Sequence, residues 1–239
     1  MEKRKKLIIA ILIVILIGLV ACIYSALNSG PNLTEADKDI LLLTADKTEQ
    51  QNGGVDMAFM VHLENGSYKN YTPIYPGDMR HPTQPEPSAI GGGQMFMHDC
   101  LYDGVDDGMQ YAKEIVEANT NMTPDAVVLV YDVAVDHIID SIRPLKINGE
   151  VTDLNATDII RVNDAYNGYP GNEMVTGTMS RSDAVMVLVK ALAKAAANPD
   201  KKAKMVDVAL NEYSQGNIHM QPQGSFARLL ATKGVESLG

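Results

Sequence analysis

The chain has no tryptophan among its 239 residues, and aromatics make up only 5% of it. So few rings argue against a lectin that stacks sugars on aromatic platforms. Two cysteines, Cys22 and Cys100, cannot build a disulfide scaffold. Basic residues are also scarce, with 20 Lys and Arg against 30 Asp and Glu, for a net charge of −10. Lys3, Arg4, Lys5 and Lys6 belong to that small basic set, so the chain beyond them is more acidic still. A nucleic-acid binder needs a basic face, and this composition offers none. No internal repeat and no low-complexity tract is visible.

What stands out is one apolar block. Residues 7–27 read LIIAILIVILIGLVACIYSAL and carry no charged side chain. A helix of about 20 residues spans the roughly 30 Å hydrocarbon core of a bilayer. The basic run MEKRKK before it predicts a cytoplasmic N-terminus by the positive-inside rule. The expected layout is a cytoplasmic tail over 1–6, a transmembrane helix over 7–27, a linker over 28–37 and an extracytoplasmic domain over 38–239. A cleaved secretory signal and a lipoprotein signal at Leu19-Val20-Ala21-Cys22 are the alternatives. The run lacks a clear small-x-small exit site, and apolar Ile23, Tyr24, Ala26 and Leu27 follow the cysteine. A retained anchor is therefore the preferred reading, and all three place the domain outside. Asn-x-Ser/Thr sequons at Asn32, Asn65, Asn70, Asn121 and Asn155 all lie beyond the anchor.

Within the domain, the apolar run Ile40 to Thr44 suits a strand buried on both faces. Val55 to Leu63 predicts a second strand, and Asn65-Gly66 predicts a hairpin into Tyr68 to Ile74. Residues 75–94, rich in Pro and Gly, read as a long loop. Helical spacing covers 105–118, 133–142, 156–164, 181–197 and 201–213, with a last helix over 225–232. Strands are expected over 126–131, 145–147 and 218–220. Strands alternating with helices predict an α/β (α+β) fold, a mixed central sheet flanked by helices.

Five arginines follow the apolar block: Arg80, Arg143, Arg161, Arg181 and Arg228. The guanidinium is a planar fork that matches phosphate oxygens. Arg80 in the Pro/Gly loop, Arg161 inside DIIRV and Arg181 in the first turn of the longest helix would make an anion pocket if they converge. Each has a blander reading as an ordinary surface or salt-bridging residue. Asp46 ends one strand and Asp56 opens the next, a placement that suits a hard divalent cation such as Mg²⁺. His81, His98 and Asp99 show no tight paired spacing, so they read as non-ligands. Cys100 reads as a small buried apolar residue.

The segment ILLLTADKTEQQNGGVDMAFMVHLENGSYKNYTPIYPGDMRHP resembles the opening of the LytR-CpsA-Psr family. The later strings MFMHDCLYDG, LNATDIIRVND and SRSDAVMVLVKAL follow that family's order. GGVDM, YPGDMRHP and MSRSDA resemble, more closely still, an archaeal domain of unknown function from methanogens. The first resemblance implies phosphotransfer of a glycopolymer from a polyprenyl-pyrophosphate carrier outside the membrane. It implies Asp46 and Asp56 as the catalytic and Mg²⁺-binding carboxylates. It implies Arg80, Arg161 and Arg181 as the pyrophosphate clamp, with Lys47 in place of one lost arginine. Four positions depart from the family. Val55, with Gly54 before it, replaces an Arg, Lys47-Thr48 follow Asp46 where an Arg is usual, Ala184 replaces a second helix Arg, and His98 replaces a turn Asn.

The sequence thus points to a membrane-anchored protein acting on or binding lipid-linked envelope glycopolymers. A non-catalytic envelope scaffold is the main rival, and a sensor or adhesion ectodomain a third. Protease added to intact, wall-stripped cells is expected to digest the chain beyond residue 35. Full protection of that part would refute the topology.

Overall fold

The computed structural model describes residues 30–165, 177–225 and 228–229, without the side chains of Arg181 and Ser182. The tail and the expected membrane helix over 7–27 lie outside that set, as does most of the expected helix over 225–232. Among the described residues, no helix is long and apolar enough to cross a membrane.

The strands are β1 (Asp37–Asp46), β2 (Gly54–Glu64), β3 (Ser67–Ile74), β4 (Arg80–Pro85), β5 (Gln94–Phe96), β6 (Ala126–Tyr131), β7 (Leu145–Ile147), β8 (Glu150–Thr152) and β9 (Ile218–Gln221). The helices are α1 (Val105–Asn119), α2 (Asp132–Ser141), α3 (Ala156–Asn163), α4 (Arg181–Ala196) and α5 (Pro199–Ser214). Five strands form the main sheet in the order β3-β2-β1-β6-β9. β1 pairs antiparallel with β2 and parallel with β6. The expected mixed α/β architecture is therefore present.

The two faces of this sheet are covered differently. Leu41, Leu43 and Ala45 share one face with Ala58, Met60, Val127 and Leu129. α1 closes that face with Met109, Ala112, Ile115 and Val116, all fully buried. On the other face, Met57 and Phe59 meet Val185 of α4, with Ile160 of α3 beside them. A satellite core of Ile139, Leu145, Ile159 and Leu188 joins α2, β7, α3 and α4. That second layer stands off the sheet and leaves a cavity beneath it.

Local signals set most boundaries. Asn65 and Gly66 have φ of 50° and 72°, as a tight hairpin turn requires. Asn155, Ser180 and Asn198 cap α3, α4 and α5, each accepting a backbone N–H through its side chain. α5 starts two residues earlier than its apolar spacing suggests, because Pro199 occupies the first helical position.

The expected loop over 75–94 is in part a strand. β4 pairs irregularly with β5, Arg80 opposite Phe96 and Pro85 opposite Gln94. Proline is tolerated there because the ribbon has only two strands. His81 anchors it. Its Nε2–H donates to Glu114 of α1 at 2.7 Å, while Nδ1 accepts from the backbone N–H of Thr83 and Gln84. Side-chain contacts with α1 thus outweigh a turn-like composition.

Cys100 is fully buried and free, as expected. Burial, reinforced by the nearby Asp99 charge, pushes its thiol up to about 12. A thiol reagent at pH 8 should label Cys100 slowly in the folded protein and quickly in urea. Equal rates would show that the 97–102 turn is open in the native state.

Candidate functional site

The carboxyl end of β1 and the amino end of β2 carry the site. Along β1 and β2, Thr44 faces Met57 but Ala45 faces Val55, so Asp56 is the extra residue of a β-bulge. Without that insertion, alternation back from Ala58 would place Asp56 on the sealed core face. The bulge gives that place to Val55, which is 1% exposed, and turns Asp56 out to line the cavity. One inserted residue thus moves a charge from a place where burial would be costly to one where it is accessible.

The loop between β1 and β2 folds back over the bulge. Tyr131 donates its hydroxyl to the Asn52 carbonyl at 2.7 Å, and the Asn52 amide donates to the carbonyls of Leu101 and Tyr102. The Val55 N–H donates to the His98 carbonyl at 2.9 Å. These contacts bring Glu49 and His98 beside Asp56. One carboxylate oxygen each from Glu49 and Asp56 and one ring nitrogen of His98 lie within 4.8 Å of one another. Gly54 makes the approach possible, since a Cβ there would stand 2.7 Å from both Glu49 Oε2 and His98 Nε2.

The cavity has a volume of about 990 Å³. Its walls are apolar, with Leu42, Phe59, Val61, Tyr71, Met186 and Val189 among them. Asp46, Glu49, Asp56 and Arg161 line it as well. Three of the residues expected to act together, Asp46, Asp56 and Arg161, therefore share one cavity. Asp46 Oδ1 accepts from both the N–H and the hydroxyl of Thr48, at 2.8 and 2.6 Å.

Arg80 and Lys47 are placed elsewhere. Arg80 donates to the Gln94 carbonyl at 2.7 Å and stacks over the Phe96 ring, within the β4–β5 ribbon. Lys47 donates to the Asn217 side chain at 2.6 Å, and its ammonium lies over the Tyr131 ring. Neither lines the cavity. Arg181 is the first residue of α4, after the cap Ser180, and its side chain lies outside the described residues. Glu49 was not singled out in the sequence. It sits in a polar loop, and only the folding of that loop brings it to Asp56.

His98 is half-buried, with Nδ1 2.7 Å from Asp99 and Nε2 3.0 Å from Glu49. Desolvation pulls its pKa down, but the hydrogen bonds and charges of Asp99 and Glu49 outweigh it, and the pKa is raised above 6.5. A raised folded-state value means that protonated His98 stabilises the fold fully below pH 6.5, and that this contribution fades as pH rises through the folded pKa. In chelator-treated protein, the imidazole should titrate by NMR above 6.5. Asp99→Asn should lower that value and flatten the loss of thermal stability across this range. An unshifted titration would show that the Asp99–His98–Glu49 contacts do not persist in solution.

Among solved structures, protein gbs0355 from Streptococcus agalactiae is 13% identical, with a TM-score of 0.50 over 81% of this chain and 74% of that one. TagV from B. subtilis is 19% identical, with a TM-score of 0.49 over 82% and 78%. A LytR-Csp2A-Psr enzyme from Actinomyces oris is 15% identical, with a TM-score of 0.48 over 84% and 76%. At such identities the likeness is one of fold. No curated protein matches the sequence. Residues 35–166, more than half of the chain, match the family described as "Protein of unknown function (DUF4012)", and the chain belongs to that family.

Proposed function

We propose that this protein is a membrane-anchored, extracytoplasmic member of its family whose cavity receives the lipid of a polyprenyl-diphosphate-linked envelope glycopolymer. The observation that carries this reading is the cavity itself. An apolar volume of about 990 Å³ meets carboxylates at the strand ends, with Arg161 and Lys190 on the facing helices. A ligand that satisfies both parts has a long apolar body and a charged head. The uncharged run 7–27 would hold such a site near the bilayer from which the lipid must come.

The charge at the polar end constrains the chemistry. Among the described residues, four carboxylates, Asp46, Glu49, Asp56 and Asp132, line the cavity against two cations, Arg161 and Lys190. A diphosphate would be repelled there unless a divalent cation lay between. The ion would neutralise charge developing on the diphosphate when bound. Asp56 and Glu49 would hold it, and Arg161 would donate to the phosphate oxygens. The sequence resemblance implies Mg²⁺ and phosphotransfer to a sugar hydroxyl.

A second reading, a scaffold that binds the same lipid without turnover, has its own support. Val55 and Ala184, at positions where the resembled family has arginines, are both buried in the core. Arg80 serves the β4–β5 ribbon instead.

Calorimetry with a polyprenyl-diphosphate analogue tests both. Binding is expected with a divalent cation and should vanish with chelator. Arg161→Ala should weaken it by about 1.5–3 kcal/mol, roughly ten- to a hundredfold. Val189→Asp, on the apolar wall, should abolish it with the fold intact by circular dichroism. Turnover with a sugar acceptor in the same samples favours the enzyme, and binding without turnover favours the scaffold. Absence of binding under every condition would remove both.

A further inference from the structure

We infer that Glu49, Asp56 and His98 form a site for a first-row transition-metal dication such as Zn²⁺, in preference to Mg²⁺. The donor set carries the inference. Two carboxylate oxygens and one imidazole nitrogen converge within 4.8 Å. Imidazole suits Zn²⁺ and its neighbours, whereas Mg²⁺ prefers an all-oxygen shell. Asp46 does not belong to this group, and its Oδ1 is already engaged by Thr48.

The orientation of His98 points the same way. Nδ1 lies 2.7 Å from Asp99, which can only accept, and 3.2 Å from the Gln50 amide nitrogen, which can only donate; the shorter, charge-assisted contact assigns the proton to Nδ1. The Gln50 amide also donates to that Asp99 oxygen and holds it in place. A carboxylate behind the ring with the far nitrogen facing out is the usual support of a metal-bound histidine. The far nitrogen, Nε2, stands 3.0 Å from Glu49 Oε2, a second group that only accepts. In the metal-free protein a proton on Nε2 satisfies this contact, and a metal ion held by Nε2 and the two carboxylates would take that proton's place.

The backbone is built around this convergence. The bulge turns Asp56 outward, and the Val55 N–H fixes the His98 carbonyl. Gly54 is the residue whose missing Cβ leaves room for Glu49 and His98. The site opens on the cavity through Glu49 and Asp56. Its service to a diphosphate rests on the reading above, whereas ion binding itself can be measured without lipid.

The test is calorimetry of Zn²⁺, Mn²⁺ and Mg²⁺ with the tag-free full chain in detergent micelles. Zn²⁺ should bind most tightly and Mg²⁺ most weakly, with on the order of a hundredfold between them. His98→Asp, which makes the donors all oxygen, should erase that preference. Asp99→Asn, which touches no ion, should weaken Zn²⁺ binding about ten- to a hundredfold. Co²⁺ should give visible ligand-field bands in the wild type that Zn²⁺ abolishes, which keeps the inference testable if His98→Asp does not fold. Equal affinity for Zn²⁺ and Mg²⁺, a preference that survives His98→Asp, or no Co²⁺ spectrum would overturn it. Lipid binding supported by Mg²⁺ without any Zn²⁺ preference would overturn the metal assignment alone. Zn²⁺ binding without lipid binding would leave the metal and remove the lipid reading.

Discussion

The register shift between β1 and β2 decides where charge can stand in this protein. β1 lies at the centre of the sheet, paired antiparallel with β2 and parallel with β6, so its register is held from both sides. A one-residue slip along such a strand would exchange the two faces. The bulge exchanges them only for the last residues, after the apolar pairs Leu41–Met60 and Leu43–Ala58 are in place. Val55 stays in the core and Asp56 leaves it. The Glu49–Asp56–His98 group follows from this. The β1–β2 loop can fold back because β2 bends there, and Glu49 and His98 meet the one carboxylate that the bulge releases.

The sheet's asymmetry explains why the cavity lies where it does. α1 packs its alanine and its β-branched and methionine side chains directly on one face. On the other face, α4 touches the sheet through Val185, while a separate core with α2 and β7 holds the rest of α3 and α4 off it. The gap is therefore built in, and the residues facing it are apolar on both sides. A gap of this size in a small domain forfeits packing contacts, a cost that makes sense where a ligand restores them.

The strands and helices were largely legible in the sequence, because the signals there are local. Asn65-Gly66 turns a hairpin, Asn155 and Ser180 cap helices, and AVVLVY has too many β-branched residues for anything but a buried strand. β4 was hidden, since His81 holds it to α1 through a contact spanning 33 residues. The site was legible by halves. Asp46, Asp56 and Arg161 announced themselves as charges at the ends of apolar runs, and they share the cavity. Glu49 and His98 did not, because their meeting depends on a polar loop and a turn 49 residues apart. Arg80 was misleading for a physical reason. Scarcity made it look like a ligand clamp, while the Phe96 ring and the Gln94 carbonyl give it a structural partner set of its own.

On the proposed reading, the space between the sheet and α4 is a lipid site closed by charge at one end. Photo-crosslinking with a polyprenyl diphosphate that carries a diazirine on its chain tests this most directly. With a divalent cation present, mass spectrometry should find the label on peptides holding Phe59, Val61, Met186 and Val189, and unlabelled lipid should compete it away. Label scattered over the exposed helix α5, or insensitive to competitor and chelator, would contradict the claim.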